Sequence, residues 1–261
     1  MRRYRFARIS AVGLLAAVAG AGYSQIIYSN GPFITHPGIG PGGTDVSRLQ
    51  SVSLGMLNLG FGVQTDPGVN NWAADDFTIP AGQTWNITGM TFYGYESPAV
   101  STASTINDLR LRVFSGGAPN AGGVVIFGDT TTNRLSSTGF SNVYRDSETQ
   151  TGNLTRPIEA NRANFVLNLG PGTYWVAFQM GGDINLNGPF TIPITINGQS
   201  TTGNGLQFVG GTGTWIAAED QGTVTQQGFP FLIHGSVVPE PATLVALGLG
   251  ALALASRRRR K

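Results

Sequence analysis

Apolar and polar residues alternate along most of this chain. Between residues 106 and 114, Leu109, Leu111 and Val113 point one way while Asp108, Arg110 and Arg112 point the other, which is the two-residue period of a half-buried strand. Phe165, Leu167 and Leu169 alternate likewise; the turn Gly170-Pro171-Gly172 follows, and Tyr174, Val176, Phe178 and Met180 then share a face. So short a Gly-Pro-Gly loop predicts a hairpin of these two strands. Residues 85–95 predict a further strand with a bulge at Gly89. Residues 124–129, 190–196, 206–209, 215–217 and 231–234 are other strand candidates, and Asn197-Gly198 is a tight-turn signal. Outside the two ends, no window carries the 3.6-residue period of an amphipathic helix.

Many short strands with glycine and asparagine turns predict an all-β fold, a single antiparallel β-sandwich of jelly-roll-like type, over residues 67–235. Residues 25–66, rich in Gly, Pro and Ser in their middle, predict a loose arm with the first strands. Residues 99–105 read as a small polar loop and 236–238 as a short linker into the tail.

The two ends follow other rules. Arg2, Arg3, Arg5 and Arg8 precede an apolar run over 9–19, and small residues follow around Ala21 and Ser24. This is the pattern of a secretory signal peptide, residues 1–24, cut after Ala21 or Ser24 and read by the secretion machinery. The run is too short to span a membrane. At the other end, Pro239-Glu240-Pro241 precedes an apolar run over 242–255, and Arg257, Arg258, Arg259, Arg260 and Lys261 close the chain. Prolines fix φ and lack an N–H, which keeps Glu240 in open, extended backbone. The 16 residues from Pro241 to Ser256 make a helix of roughly 24 Å, a little short of a ~30 Å hydrocarbon core. The basic cluster holds that end on the cytoplasmic side.

This three-part order, over residues 236–261, resembles the PEP-CTERM sorting signal of bacterial surface proteins. The resemblance implies that an exosortase-type membrane transpeptidase recognises Pro239, Glu240 and Pro241, cuts nearby, and passes the body to the cell surface or to extracellular polysaccharide. A simple tail anchor that is never cut is the alternative. The body, in the stretches 71–85 and 169–178, resembles the sandwich domains found ahead of such tails, an association that implies a fold without a ligand.

Removing the ends changes the meaning of the charge. The chain carries a formal +2, but nine of its 16 basic residues lie in the leader and tail. Seven arginines then face 13 acidic residues, so the body carries −6. An acidic body without lysine argues against nucleic acid and anionic membrane surfaces as partners. There is no cysteine, so neither disulfides nor thiol chemistry contribute. Charged residues are 11% of the chain and glycines number 38, the make-up of a turn-rich extracellular β protein.

Candidate chemistry is sparse, and the sequence points to a non-enzymatic surface or matrix protein. Asp75 and Asp76 are adjacent, so on a strand they face opposite sides and do not serve one catalytic event; one of them is expected to cap a turn or pair with an arginine. His36 and His234 stand alone, without metal-ligand spacing. No serine has the setting of a nucleophile elbow, and nothing singles out two carboxylates as a glycosidase pair. Asp183, Asn185 and Asn187, followed by Gly188, match the opening of a calcium loop, but the twelfth position is Ile194. The competing reading is an Asx-rich turn, and calcium, weakly held, is the one cofactor considered. Trp72, Trp175 and Trp215 suit stacking on sugar rings, the basis of a lectin-like alternative; the other reading of such a stripe is core. An extracellular hydrolase is a third reading.

Overall fold

The computed structural model describes residues 25–100 and 102–239. The signal-peptide reading, Glu240, Pro241 and the rest of the tail lie outside them. Fourteen strands and one short 3-10 turn make up the described chain. They are β1 (Gln25–Ser29), β2 (Asp45–Leu49), β3 (Phe61–Gly62), β4 (Trp72–Ile79), β5 (Gln83–Ser97), β6 (Asp108–Ser115), β7 (Val124–Gly128), β8 (Leu135–Ser147), β9 (Pro157–Leu169), β10 (Gly172–Gly181), β11 (Asn187–Thr191), β12 (Leu206–Val209), β13 (Thr214–Ala217) and β14 (Phe231–Pro239).

The strands form two sheets. The first has the order β1-β14-β5-β9-β8-β2, with β11 on the end of β5 and β3 beside β11. The second has the order β13-β12-β4-β10-β6-β7. Alternation decides what each strand buries. Leu109, Leu111 and Val113 of β6 and Val176, Phe178 and Met180 of β10 are fully buried between the sheets, as their period predicts. Facing residues of the first sheet complete the core: Phe92 stacks on Phe178 with ring centroids 4.5 Å apart, and Trp85 lies parallel to Phe77 at 6.1 Å. Aromatic pairs of this kind add about 0.5–1.5 kcal/mol beyond the area they bury.

Four expectations are corrected. The strands flanking Gly170-Pro171 are not a hairpin: β9 pairs with β5 and β8 in the first sheet, β10 with β4 and β6 in the second. The loop is a corner between sheets, and its length serves either geometry. The sandwich is not wholly antiparallel, because β2 runs parallel to β8. The expected loose arm is held down: β1, β2 and β3 all join the first sheet, and Phe33 packs with Tyr95, Val143, Ile158 and Ile192 on that sheet's outer side. Finally, the predicted strand over 190–196 is regular only as far as Thr191.

The outer side of the first sheet is pinned by a charge. Arg145 is completely buried. Its Nε donates to the Leu59 carbonyl at 2.7 Å, Nη1 to Ser47 Oγ at 3.0 Å and Thr195 Oγ1 at 3.2 Å, and Nη2 to the Asn58 carbonyl at 3.3 Å. Burial lowers its pKa to about 10, which still leaves it charged. The bulge expected at Gly89 is present as a slip at Thr88, where both neighbouring strands lose register. Gly89 itself cannot gain a side chain, since a Cβ there would meet the Ala163 carbonyl oxygen at 2.4 Å.

Candidate functional site: the last strand and the aromatic face

The end of the body is built into the first sheet. β14 runs on through Ser236, Val237 and Val238 to Pro239, which pair with Asn86, Trp85, Thr84 and Gln83 of β5. The linker expected over 236–238, and a body ending at 235, are therefore corrected: Val237 and Val238 continue the strand. β1 begins at Gln25 opposite Gly235, so from Ser236 onward β5 is the sole partner of β14 among the described residues.

The antiparallel register also places both ends together. Gln25 of β1 lies beside Gly235, so Gln25 and Pro239 lie toward the same pole of the sheet. At that pole lie the corners between β4 and β5 and between β9 and β10. At the other end of the 15-residue β5, roughly 45 Å away at strand rise, a cleft of about 540 Å³ opens between Asp66, Glu96, Asp183 and Phe190. The Asp183 loop forms one lip. There Asp183 Oδ1 accepts the backbone and side-chain N–H of Asn185, both at 2.9 Å, and the Asp183 N–H donates to Glu96 at 3.0 Å. Asn187 belongs to β11 and is exposed. Among the described residues, no three His, Cys, Asp or Glu side chains gather as metal ligands.

The three tryptophans meet on the outer face of the second sheet. Trp215 is paired with Phe208, and Phe208 with Trp72, across β13, β12 and β4. Trp175 of β10 joins the same cluster with Phe114 of β6. Trp72 is 2% exposed, whereas Trp175, Phe208 and Trp215 are half-buried. Arg112, whose outward direction follows from the strand period, lays its guanidinium 4.5 Å over the Trp72 ring and 5.4 Å from that of Phe114.

Residues 237–260 match the PEP-CTERM protein-sorting motif. The tail is a PEP-CTERM sorting signal. No match was found among curated proteins or among solved structures. The PEP-CTERM motif marks an exported protein processed at the membrane, with an exosortase as its sorting partner. It begins at Val237, three residues inside the last strand, so it starts in the folded body.

The remaining titratable candidates are structural in their contacts. Asp75 neither caps a turn nor pairs with arginine. It points inward, 1% exposed, and accepts the Phe229 N–H at 2.6 Å, the Asn30 amide at 2.9 Å and the Asp76 N–H at 2.8 Å. Burial pushes its pKa up to about 7 against these three donors. Asp76 faces the opposite side, as adjacent strand residues must. His234 is buried with Nε2 2.9 Å from Thr91 Oγ1, and burial depresses its pKa. His36 Nδ1 touches Thr35 Oγ1 at 2.9 Å, on a different segment. Sequence reasoning missed Glu96 and Glu159, both buried carboxylates on β5 and β9. Their signal is local: each is an acid at an inward position of a strand whose other inward residues are apolar or amide.

Proposed function

We propose that this chain is an exported, exosortase-processed protein whose body is a non-enzymatic, structural or adhesive domain delivered to the cell surface or extracellular matrix. The observation that carries this reading is the continuity between β14 and the sorting motif: Pro239 ends the strand and opens Pro-Glu-Pro. A domain tethered there stands on the membrane by one pole and turns the cleft beside Asp183 outward. The reading includes a signal peptide over residues 1–24, a membrane span over 242–255, and a jelly-roll-like winding of the body. That winding is supported by the chain's repeated passage between sheets, as at β4 to β5 and β9 to β10.

A lectin-like role is favoured by one specific observation, the gathering of Trp72, Trp175 and Trp215 on one sheet face. The test of the main reading is the intact mass of the protein recovered from its native cells, with fractionation of membrane, surface and matrix. The expected product starts near Gln25, ends near Pro239 and lies in the surface or matrix fraction. A chain that keeps the cluster 257–261 and stays in the inner membrane would instead be a permanent tail-anchored protein.

A further inference from the structure

Arg112 stands apart from Arg110 on the same strand and from Arg134 nearby in the chain. Arg110 pairs with Asp108 at 2.7 Å, and Arg134 with Asp129 at 2.8 Å. Among the described residues Arg112 has no hydrogen-bond or ion-pair partner, and its buried Nε has none either. What fixes it is ring contact on its flat face, with Trp72 and Phe114. A guanidinium stacked in this way is held in one orientation while its Nη donors stay unpaired. Such a fork matches the two oxygens of a carboxylate.

The surroundings specify what carries that carboxylate. Trp175, Phe208 and Trp215 present half-exposed flat rings on the same face, suited to the C–H faces of pyranose rings. Asp76 lies beside Trp175 in the ladder, two strands and two residues of register from Arg112 and so roughly 12 Å away. It offers acceptors to sugar hydroxyls and repels a second carboxylate, which gives the face a polarity. The body's charge of −6 supplies no diffuse attraction for polyanions, so selectivity falls on Arg112. A second copy of the chain, equally acidic, is a poorer occupant for the same reason, since it brings no pyranose faces to offset the repulsion.

We propose that this face binds an acidic polysaccharide, with pyranose rings lying on Trp175 and Trp215 and a uronate carboxylate taking the free donors of Arg112. The proposal rests on the adhesive reading above and names its ligand class. The test uses the full-length chain in mild detergent against polygalacturonate, its methyl ester and a neutral β-glucan, followed by tryptophan fluorescence and affinity electrophoresis. Polygalacturonate is expected to bind about tenfold tighter than the ester, the effect of one charge-assisted contact. Arg112→Gln erases that preference, Trp175→Ala weakens binding to both forms, and Arg162→Gln on the other sheet changes neither. Should Arg112→Gln fail to fold, Arg112→Lys keeps the charge without the fork and is expected to lose most of the preference. Three results overturn the proposal: a folded chain that binds none of the polymers, a preference that survives Arg112→Gln, or a dimer in sedimentation that Trp175→Ala converts to monomer. None of these variants touches the tail, so the native mass and location still report on export independently.

Discussion

Pro239 stands opposite Gln83 in the ladder between β14 and β5, so the first proline of Pro-Glu-Pro is still paired in the sheet. The sorting motif therefore begins inside the folded domain. Removing residues 240–261 is expected to change the unfolding free energy by less than about 0.5 kcal/mol, as for surface changes that break no packing. Removing 235–261 strips the strand that faces Gln83, Thr84, Trp85, Asn86 and Ile87, and should cost several times as much. Urea unfolding of the two truncated chains checks this; equal stabilities would mean that β14 adds nothing beyond His234.

Arg145 and its four oxygen acceptors give a second prediction. The guanidinium joins β2 through Ser47 to the segments at 58–59 and 195, and no water reaches it. Arg145→Leu takes the arginine donor from the Leu59 and Asn58 carbonyls and from the Ser47 and Thr195 hydroxyls, and should destabilise by about 3–5 kcal/mol. Arg145→Lys keeps the charge but reaches fewer acceptors, so it should recover only part of the loss. Midpoints of urea denaturation at neutral pH give both numbers.

These contacts mark where reading the sequence reaches its limit. The strand period correctly separated Leu109, Leu111 and Val113 from Arg110 and Arg112, because one face of β6 meets the core and the other does not. The bulge near Gly89 and the sorting tail were equally legible, since each depends on local residue types. Sheet membership was not. Gly170-Pro171 turns the chain, but whether β9 and β10 pair or part depends on strands far away in sequence. β8 escaped notice because a polar residue interrupts its inward face: Thr138, between Leu135 and Phe140, bonds Asn161 at 2.7 Å and Ser104 at 2.6 Å instead of filling an apolar layer. Trp72, Trp175 and Trp215 were visible as rings, yet only register brings them together, and the Arg112 stack depends on that register.

The Asp183 loop separates the two readings of its Asp-Asn-Asn-Gly pattern. Oδ1 of Asp183 is already occupied by two donors from Asn185, which is what an Asx turn requires. Millimolar calcium is expected to leave the melting temperature within about 1 °C of that in chelator, since linkage stabilisation needs ligand well above Kd. Asp183→Ala should cost about 0.5–1.5 kcal/mol, the worth of a local hydrogen-bonded turn. A calcium-dependent rise of several degrees that Asp183→Ala abolishes would restore the metal reading.

Stability should fall as pH rises, and Glu159 is one reason. It is 2% exposed, its Oε2 has no hydrogen-bond partner, and burial pushes its pKa from the ordinary 4.5 to about 7. Between those values the folded chain holds a proton that the unfolded chain has released. The contribution of Glu159 is therefore fully present below about pH 4.5 and is lost progressively as pH climbs through 7. Asp75, raised from 3.8 to about 7, slopes the same way. Glu96, on the same face of β5 as the residue paired with Glu159, is also raised by burial and adds to the trend. His234 acts oppositely, because its depressed pKa favours the folded state as pH rises toward 6.5. Glu159→Gln keeps the shape without the charge. It should stabilise the protein at pH 8 by about 1–3 kcal/mol and remove a matching part of the slope between pH 5 and 8. Urea unfolding of wild type and variant at those two pH values decides it: an unchanged slope would mean that Glu159 ionises in the folded state as readily as in the unfolded chain.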